Sequence, residues 1–234
     1  GPGGSVRGEP ASVLEPASVP ERALPEVDGF DIAGGSAPPR SGVELSAWEA
    51  LRFSDDRVGL VAVALQGDRV APFHQTAVAR ALCTEFSLAG EPPETLLSRV
   101  NNGLYVNKVT SGVQHIEAGI LVPQGDSVLW SNAGGLKCAV LRTDGTSHEF
   151  LDHGPPLGMR AGVQHEVQEI KVGSGDMILA LSGGSDELFR EAMDAVSSLR
   201  STPAREVVER VQQAIRGATE SYPDNAAALF LRRH

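Results

Sequence analysis

Helical spacing occurs in pairs along this chain, and runs of short strand-like segments separate the pairs. That order constrains the fold more than any single motif. Thr76–Leu88 carries Val78, Leu82 and Phe86 at helical intervals, and Pro92-Pro93 opens a second stretch from Glu94 to about Leu104. The second pair comes late: Ser185 to about Leu199, with Ser185 and Asp186 near its cap, then Pro203–Ala218 with Thr202 at the N-cap position. A doubly wound parallel sheet would alternate one helix with one strand. Paired helices between runs of strands instead predict an α+β chain: an αββα sandwich of two mainly antiparallel sheets flanked by helix pairs.

The strands are readable from their turns. Phe30–Ala33 is a short strand ending at Gly34-Gly35, and Val43–Arg52 and Val58–Leu65 form a hairpin over Ser54-Asp55-Asp56. Gln114–Pro123 and Ser127–Asn132 meet across Gln124-Gly125-Asp126. Lys137–Arg142 and Thr146–Leu151 meet across Thr143-Asp144-Gly145. Val167–Val172 and Met177–Leu181 are expected to pair across Gly173-Ser174-Gly175-Asp176. Asn225–Arg232 closes the chain as a strand, and Arg232-Arg233-His234 reads as a solvated tail.

Residues 1–20 are read as a tag remnant, Gly1-Pro2-Gly3-Gly4-Ser5, and a Pro-rich linker; 21–234 is the folded domain. Aromatic residues make up only 5%, so Val, Leu, Ile and Ala must build the core. The net charge of -10 argues against nonspecific nucleic-acid binding and against docking on anionic lipid. Cys83 and Cys138 lack metal spacing and read as buried free thiols of a reducing, cytoplasmic compartment. His74, His115, His148, His153 and His165 are scattered, with no two spaced on a helix as zinc ligands.

Several short motifs then fall in a specific order: Leu24-Pro25 with Gly29-Phe30-Asp31-Ile32-Ala33, Ser131-Asn132-Ala133-Gly134-Gly135, Pro156-Leu157-Gly158-Met159 and Gly175-Asp176-Met177-Ile178-Leu179. Together they resemble the PPM family of metal-dependent Ser/Thr phosphatases. The branch they are similar to is that of the bacterial sporulation stage II E phosphatase and the stress-response regulators. The resemblance implies a site of two divalent metals held by carboxylates from separate motifs. At those positions this chain carries Glu44 and Ala47 in the first motif, Ala64 in the second, Gly183 in Ser182-Gly183-Gly184 and Asp224 in the last. A methyl group or a hydrogen cannot ligate a hard cation, which takes oxygen donors. Only Glu44 and Asp224 keep carboxylates.

The expectation is therefore a degenerate member, a pseudophosphatase. It holds no metal or other cofactor and acts as a protein-binding or regulatory module, through a partner, possible phosphoprotein or second copy. The alternative is a weak Ser/Thr phosphoprotein phosphatase using one residual metal. An interface is expected beside the vacated cleft, at Arg69 and Phe73, where relatives carry small residues.

Overall fold

The computed structural model describes residues 24–36, 45–67, 74–107, 114–217 and 226–234. Ten strands form two sheets, and every strand pair within them is antiparallel. One sheet holds β1 (Phe30–Ser36), β10 (Ala227–Arg233), β9 (Met177–Leu181), β6 (Lys137–Leu141) and β7 (Ser147–Glu149), in that order. The other runs β2 (Ser46–Arg52), β3 (Val58–Gly67), β4 (Gln114–Gln124), β5 (Ser127–Ala133) and β8 (Val167–Lys171).

Alternate residues of most strands serve two different cores, because both faces of each sheet are covered. Between the sheets lie Ile32, Leu60, Ala62, Leu121, Trp130, Val140, Ile178 and Leu229. The opposite face of the first sheet (Leu179, Phe230) packs against α3 (Asp186–Ser197) and α4 (Ala204–Gly217). The opposite face of the second (Val61, Val63, Ile120) packs against α1 (His74–Leu88) and α2 (Pro93–Val106). The layers are thus helices, sheet, sheet, helices, as the element order predicts.

Two glycines let the sheets close over bulky neighbours. A Cβ on Gly34 would stand 2.4 Å from Trp48, and one on Gly119 would stand 2.4 Å from the benzo ring of Trp130. The benzo rings of both indoles therefore press against bare backbone. Each buries a large apolar area in a core short of aromatics.

Three local expectations need correction. β8 and β9 do not pair: β8 joins β5, and β9 lies between β10 and β6 in the other sheet. The turn between them is a crossover fixed by Asp176. Its carboxylate accepts the N–H groups of Gly173 (2.8 Å) and Thr143 (3.1 Å) and a bond from Arg142 (2.9 Å). Thr202 does not cap α4. The Ala204 N–H donates instead to Asp31 on β1, at 2.8 Å, a partner far away in sequence. Arg232 is no solvated tail residue: it is 9% exposed within β10, donates to Leu199 O at 2.8 Å and faces Asp31 at 3.5 Å. Ser185 does cap α3, accepting the Leu188 N–H at 3.1 Å. Cys83 and Cys138 are free and buried, as expected.

Candidate functional site

Chain connectivity puts one set of strand ends together. Ala133 ends β5 and Lys137 begins β6 only a short turn later, in the other sheet. That turn joins the end of β3 and the start of β4 to the end of β9 and the start of β10. Ala64 and Gly183 both belong to this end of the sandwich.

Ala64 is 1% exposed and alternates with Ala62, so it points between the sheets. Directly opposite on β4 stands Glu117. Its side chain is only 12% exposed. Burial pushes its carboxyl up to about 7, against the opposing pull of His153, a Gln66 hydrogen bond and Lys137. His115 Nε2 lies 3.5 Å from the carboxylate. The stem of Glu117 lies on Gly134, where an added Cβ would come within 2.5 Å of Cγ; Gly134 has φ 95. Glu117 therefore occupies room that any larger residue at 134 would claim.

Gly183 and Gly184 have φ 78 and φ 95, the left-handed conformation that turns β9 into α3. Ser182 locks this corner to β10. Its N–H donates to Ala227 O (2.9 Å) and its hydroxyl accepts the Ala227 N–H (2.8 Å). Lys137 reaches Asp186 in the first turn of α3 at 2.7 Å.

The structure does not bring all the expected positions together. Ala47 is buried with Ala79 and Cys83 under the helix pair, on the face of β2 opposite to the cleft. A carboxylate there would point into that apolar layer, so Ala47 is not part of the cleft. Glu44, Arg69, Phe73 and Asp224 lie outside the described residues. Glu117 was missed by motif reading, yet it carries a signal: it is a charge among the apolar residues of QHIEAGILVP.

The described residues do not fit a pair of hard metal ions. Ala64 and Gly183 offer no side-chain oxygen, and no group of three or more His, Cys, Asp or Glu able to hold a metal occurs among the described residues. Glu117 is one buried carboxyl group with imidazole and amide neighbours. Such a group can exchange a proton near neutrality or accept a hydrogen bond from an incoming donor.

The family model of the stage II sporulation protein E matches residues 54–234. No curated protein sequence matches the chain. Among solved structures, the PP2C phosphatase domain with a fragment of the regulatory domain of the cell fate determinant SpoIIE from Bacillus subtilis aligns with TM-score 0.68 at 13% identity, over 87% of this chain and 63% of that one. The RsbU and RsbW domains of a Mycobacterium tuberculosis protein align with TM-score 0.70 at 20% identity, over 90% of this chain and 62% of that one. This chain thus spans less than two thirds of either structure. RsbX in complex with magnesium aligns with TM-score 0.62 at 13% identity, over 91% of this chain and 99% of that one. At these identities the structural matches speak for the fold alone.

Proposed function

The chain belongs to the stage II sporulation protein E family, and from that membership we propose that it is a PPM-type phosphatase domain that has given up catalysis and works by contact with another protein. The carrying observation is the pair Ala64 and Glu117. Where the family resemblance calls for a metal-bridging aspartate, a methyl group faces a half-neutral buried carboxyl. Ala64 and Gly183 together remove oxygen ligands from two separate strand ends, and one remaining weak ion would not assemble a two-metal nucleophile.

A retained cleft without ligands can still recognise a protein. The partner is a protein of the bacterial signalling type that such domains act on, a phosphoprotein among the candidates, or a second copy of the chain.

The test has two arms. Hydrolysis of a generic phosphomonoester and of a phosphoserine peptide is measured with millimolar manganese or magnesium, beside calorimetric titration of each metal. No turnover and no tight binding is the expected result; metal-dependent turnover would establish the weak-phosphatase reading instead. In the second arm, Arg69→Ala with Phe73→Ser is compared with the parent chain for self-association by light scattering and for capture of partners from the native host. Loss of association at an unchanged melting temperature supports an interface at Arg69 and Phe73. Full association by the variant places it elsewhere.

A further inference from the structure

β7 ends the first sheet, and its outer edge is open. Hydrogen bonding along an antiparallel strand alternates from side to side. The Arg142 N–H donates to Thr146 O at 2.8 Å and the Phe150 N–H to Cys138 O at 2.9 Å, so residues 146, 148 and 150 turn their backbone towards β6. The N–H and C=O groups of Ser147 and Glu149 therefore point away from the sheet. Both residues are exposed, and these outward groups have no partner among the described residues. β7 carries neither Lys nor Pro, the residues that commonly guard an edge.

β8, the end strand of the other sheet, is closed by contrast. The Val172 N–H donates to Asp126 O, which turns Lys171 O outwards, and Arg142 Nη1 donates to that carbonyl at 2.6 Å.

A groove of about 670 Å³ runs beside the open edge, between β7 and α3. Ser147 and Glu149 face it. Their register partners Leu141 and Ala139 belong to the core under the helices, and paired residues share a face. Arg200 lies at the end nearer Ser147, where its Nη2 donates to Arg142 O at 2.7 Å.

An open edge accepts another strand, and Ser147-His148-Glu149 is complementary to its own copy. With a two-fold axis at His148, Ser147 of each copy faces Glu149 of the other. Both facing pairs are of the hydrogen-bonded kind, each exchanging two N–H···O=C bonds, so every outward group of the two residues is used. Each Glu149 carboxylate meets a hydroxyl and enters the other copy's groove at the Arg200 end. A slip of one residue breaks the match of outward groups. A slip of two residues one way sets Glu149 directly against Glu149, a repulsive pair. Two residues the other way set it against Gly145, whose N–H already donates to Arg142 O within the turn.

We propose that the chain forms a two-fold dimer through β7, which joins the two copies' sheets into one continuous antiparallel sheet. A contact of three residues per strand is of the weak, transient class, so concentration governs it. The proposal does not rest on the loss of catalysis, and neither turnover nor metal binding enters its test.

Sedimentation of the whole chain from about 10 μM to about 1 mM reads the association, and the sedimentation coefficient should rise across that range. Ser147→Pro deletes an outward N–H and keeps both bonds to β6, so the dimer should weaken at least about tenfold at an unchanged melting temperature. Glu149→Arg, which sets like charges together at Arg200, should do the same, and it decides where the proline disturbs the fold. His148→Cys reads the register. Directly opposed residues of the non-hydrogen-bonded kind stand about 4.5 Å apart at Cα, within reach of a disulfide. Ser147→Cys meets its own copy only across the diagonal, at about 7–8 Å. Cys83 and Cys138 are buried and do not compete. Under mild oxidation, His148→Cys should cross-link between chains at least about tenfold faster than Ser147→Cys. A chain that stays monomeric to the top of the range overturns the proposal. So does a dimer that both folded edge variants leave intact, which is then seated elsewhere, or cross-linking as fast from position 147 as from 148.

Discussion

Glu117 stands directly across the β3–β4 ladder from Ala64, both facing between the sheets. Directly opposed Cβ atoms lie about 4.5–5.5 Å apart. A carboxylate at 64 would therefore meet a carboxylate at 117 inside a buried corner. The chain can bury Glu117 because position 64 bears no charge.

This placement predicts a pH slope. An acid whose folded value is raised from 4.5 to about 7 holds its proton more tightly when folded. Its stabilising contribution is complete below the lower value and is lost as pH rises through the upper one. Glu117→Gln removes that loss. At about pH 8 the variant should be more stable than the parent by roughly 1–3 kcal/mol, with the gap closing towards pH 5. Urea melts across that range measure it. A variant no more stable than the parent at the alkaline end shows that His115, His153 and Lys137 already hold Glu117 ionised at no cost.

His165 should act with the opposite sign. Its Nε2 lies 2.9 Å from Pro155 O and so carries the proton, while Nδ1 is buried without a partner among the described residues. Burial holds its pKa below the ordinary 6.5, against the pull of the Pro155 carbonyl. The folded protein thus gains from neutral His165 above 6.5 and loses that gain as pH falls through the depressed value. In a proton NMR titration, the His165 ring signal should shift with a midpoint below 6.5. A midpoint at or above that value would contradict the buried neutral ring.

The layers were legible because they follow from local signals: helical periodicity, turn residues and the order of elements. The misreadings share one physical origin. β8 and β9 satisfy every local rule for a hairpin, but Asp176 binds backbone on the β6–β7 turn and sends the chain into the other sheet. Thr202 is a good cap by composition, yet Asp31, brought in by the β1–β10 pairing, takes the Ala204 N–H. In each case a partner distant in sequence outcompetes the near one. Ala64 and Gly183 were legible in the sequence as positions without a side-chain oxygen. Glu117 was not, because one acid in an apolar strand reads as a surface residue until the second sheet is known to cover it.

The 154–165 segment depends on Asn101, which is fully buried in α2. Its Oδ1 accepts the Gly158 N–H and its Nδ2 donates to Arg160 O, each at 2.8 Å. Asn101→Ala would leave a buried donor and a carbonyl unsatisfied at once, costing about 2–4 kcal/mol. Denaturant melts should show that loss. Protease susceptibility near exposed Met159 and Arg160 should rise with it. Asn102→Ala, whose Oδ1 accepts the exposed Gly162 N–H at 3.0 Å and a long 3.4 Å bond from Asn101 Nδ2, should cost well under half as much.

Restoring the missing acids tests how much of a metal site survives. Ala64→Asp places a second carboxylate opposite Glu117, and Gly183→Asp forces a side chain onto φ 78, where a left-handed residue costs about 1–2 kcal/mol. Together with repulsion and burial of charge, the double variant should lose roughly 3–5 kcal/mol near pH 8. Protonation of the new carboxyl pair should return part of this loss near pH 5. Manganese should restore some of the melting temperature by neutralising the pair, since an ion that binds only the folded state stabilises it. Turnover of a phosphomonoester should stay at background, because the groups that orient metal ligands are as necessary as the ligands themselves. The readouts are melting temperature with and without manganese, and phosphate release. Robust release by the double variant would mean that the cleft kept its preorganisation and lacked only two oxygens.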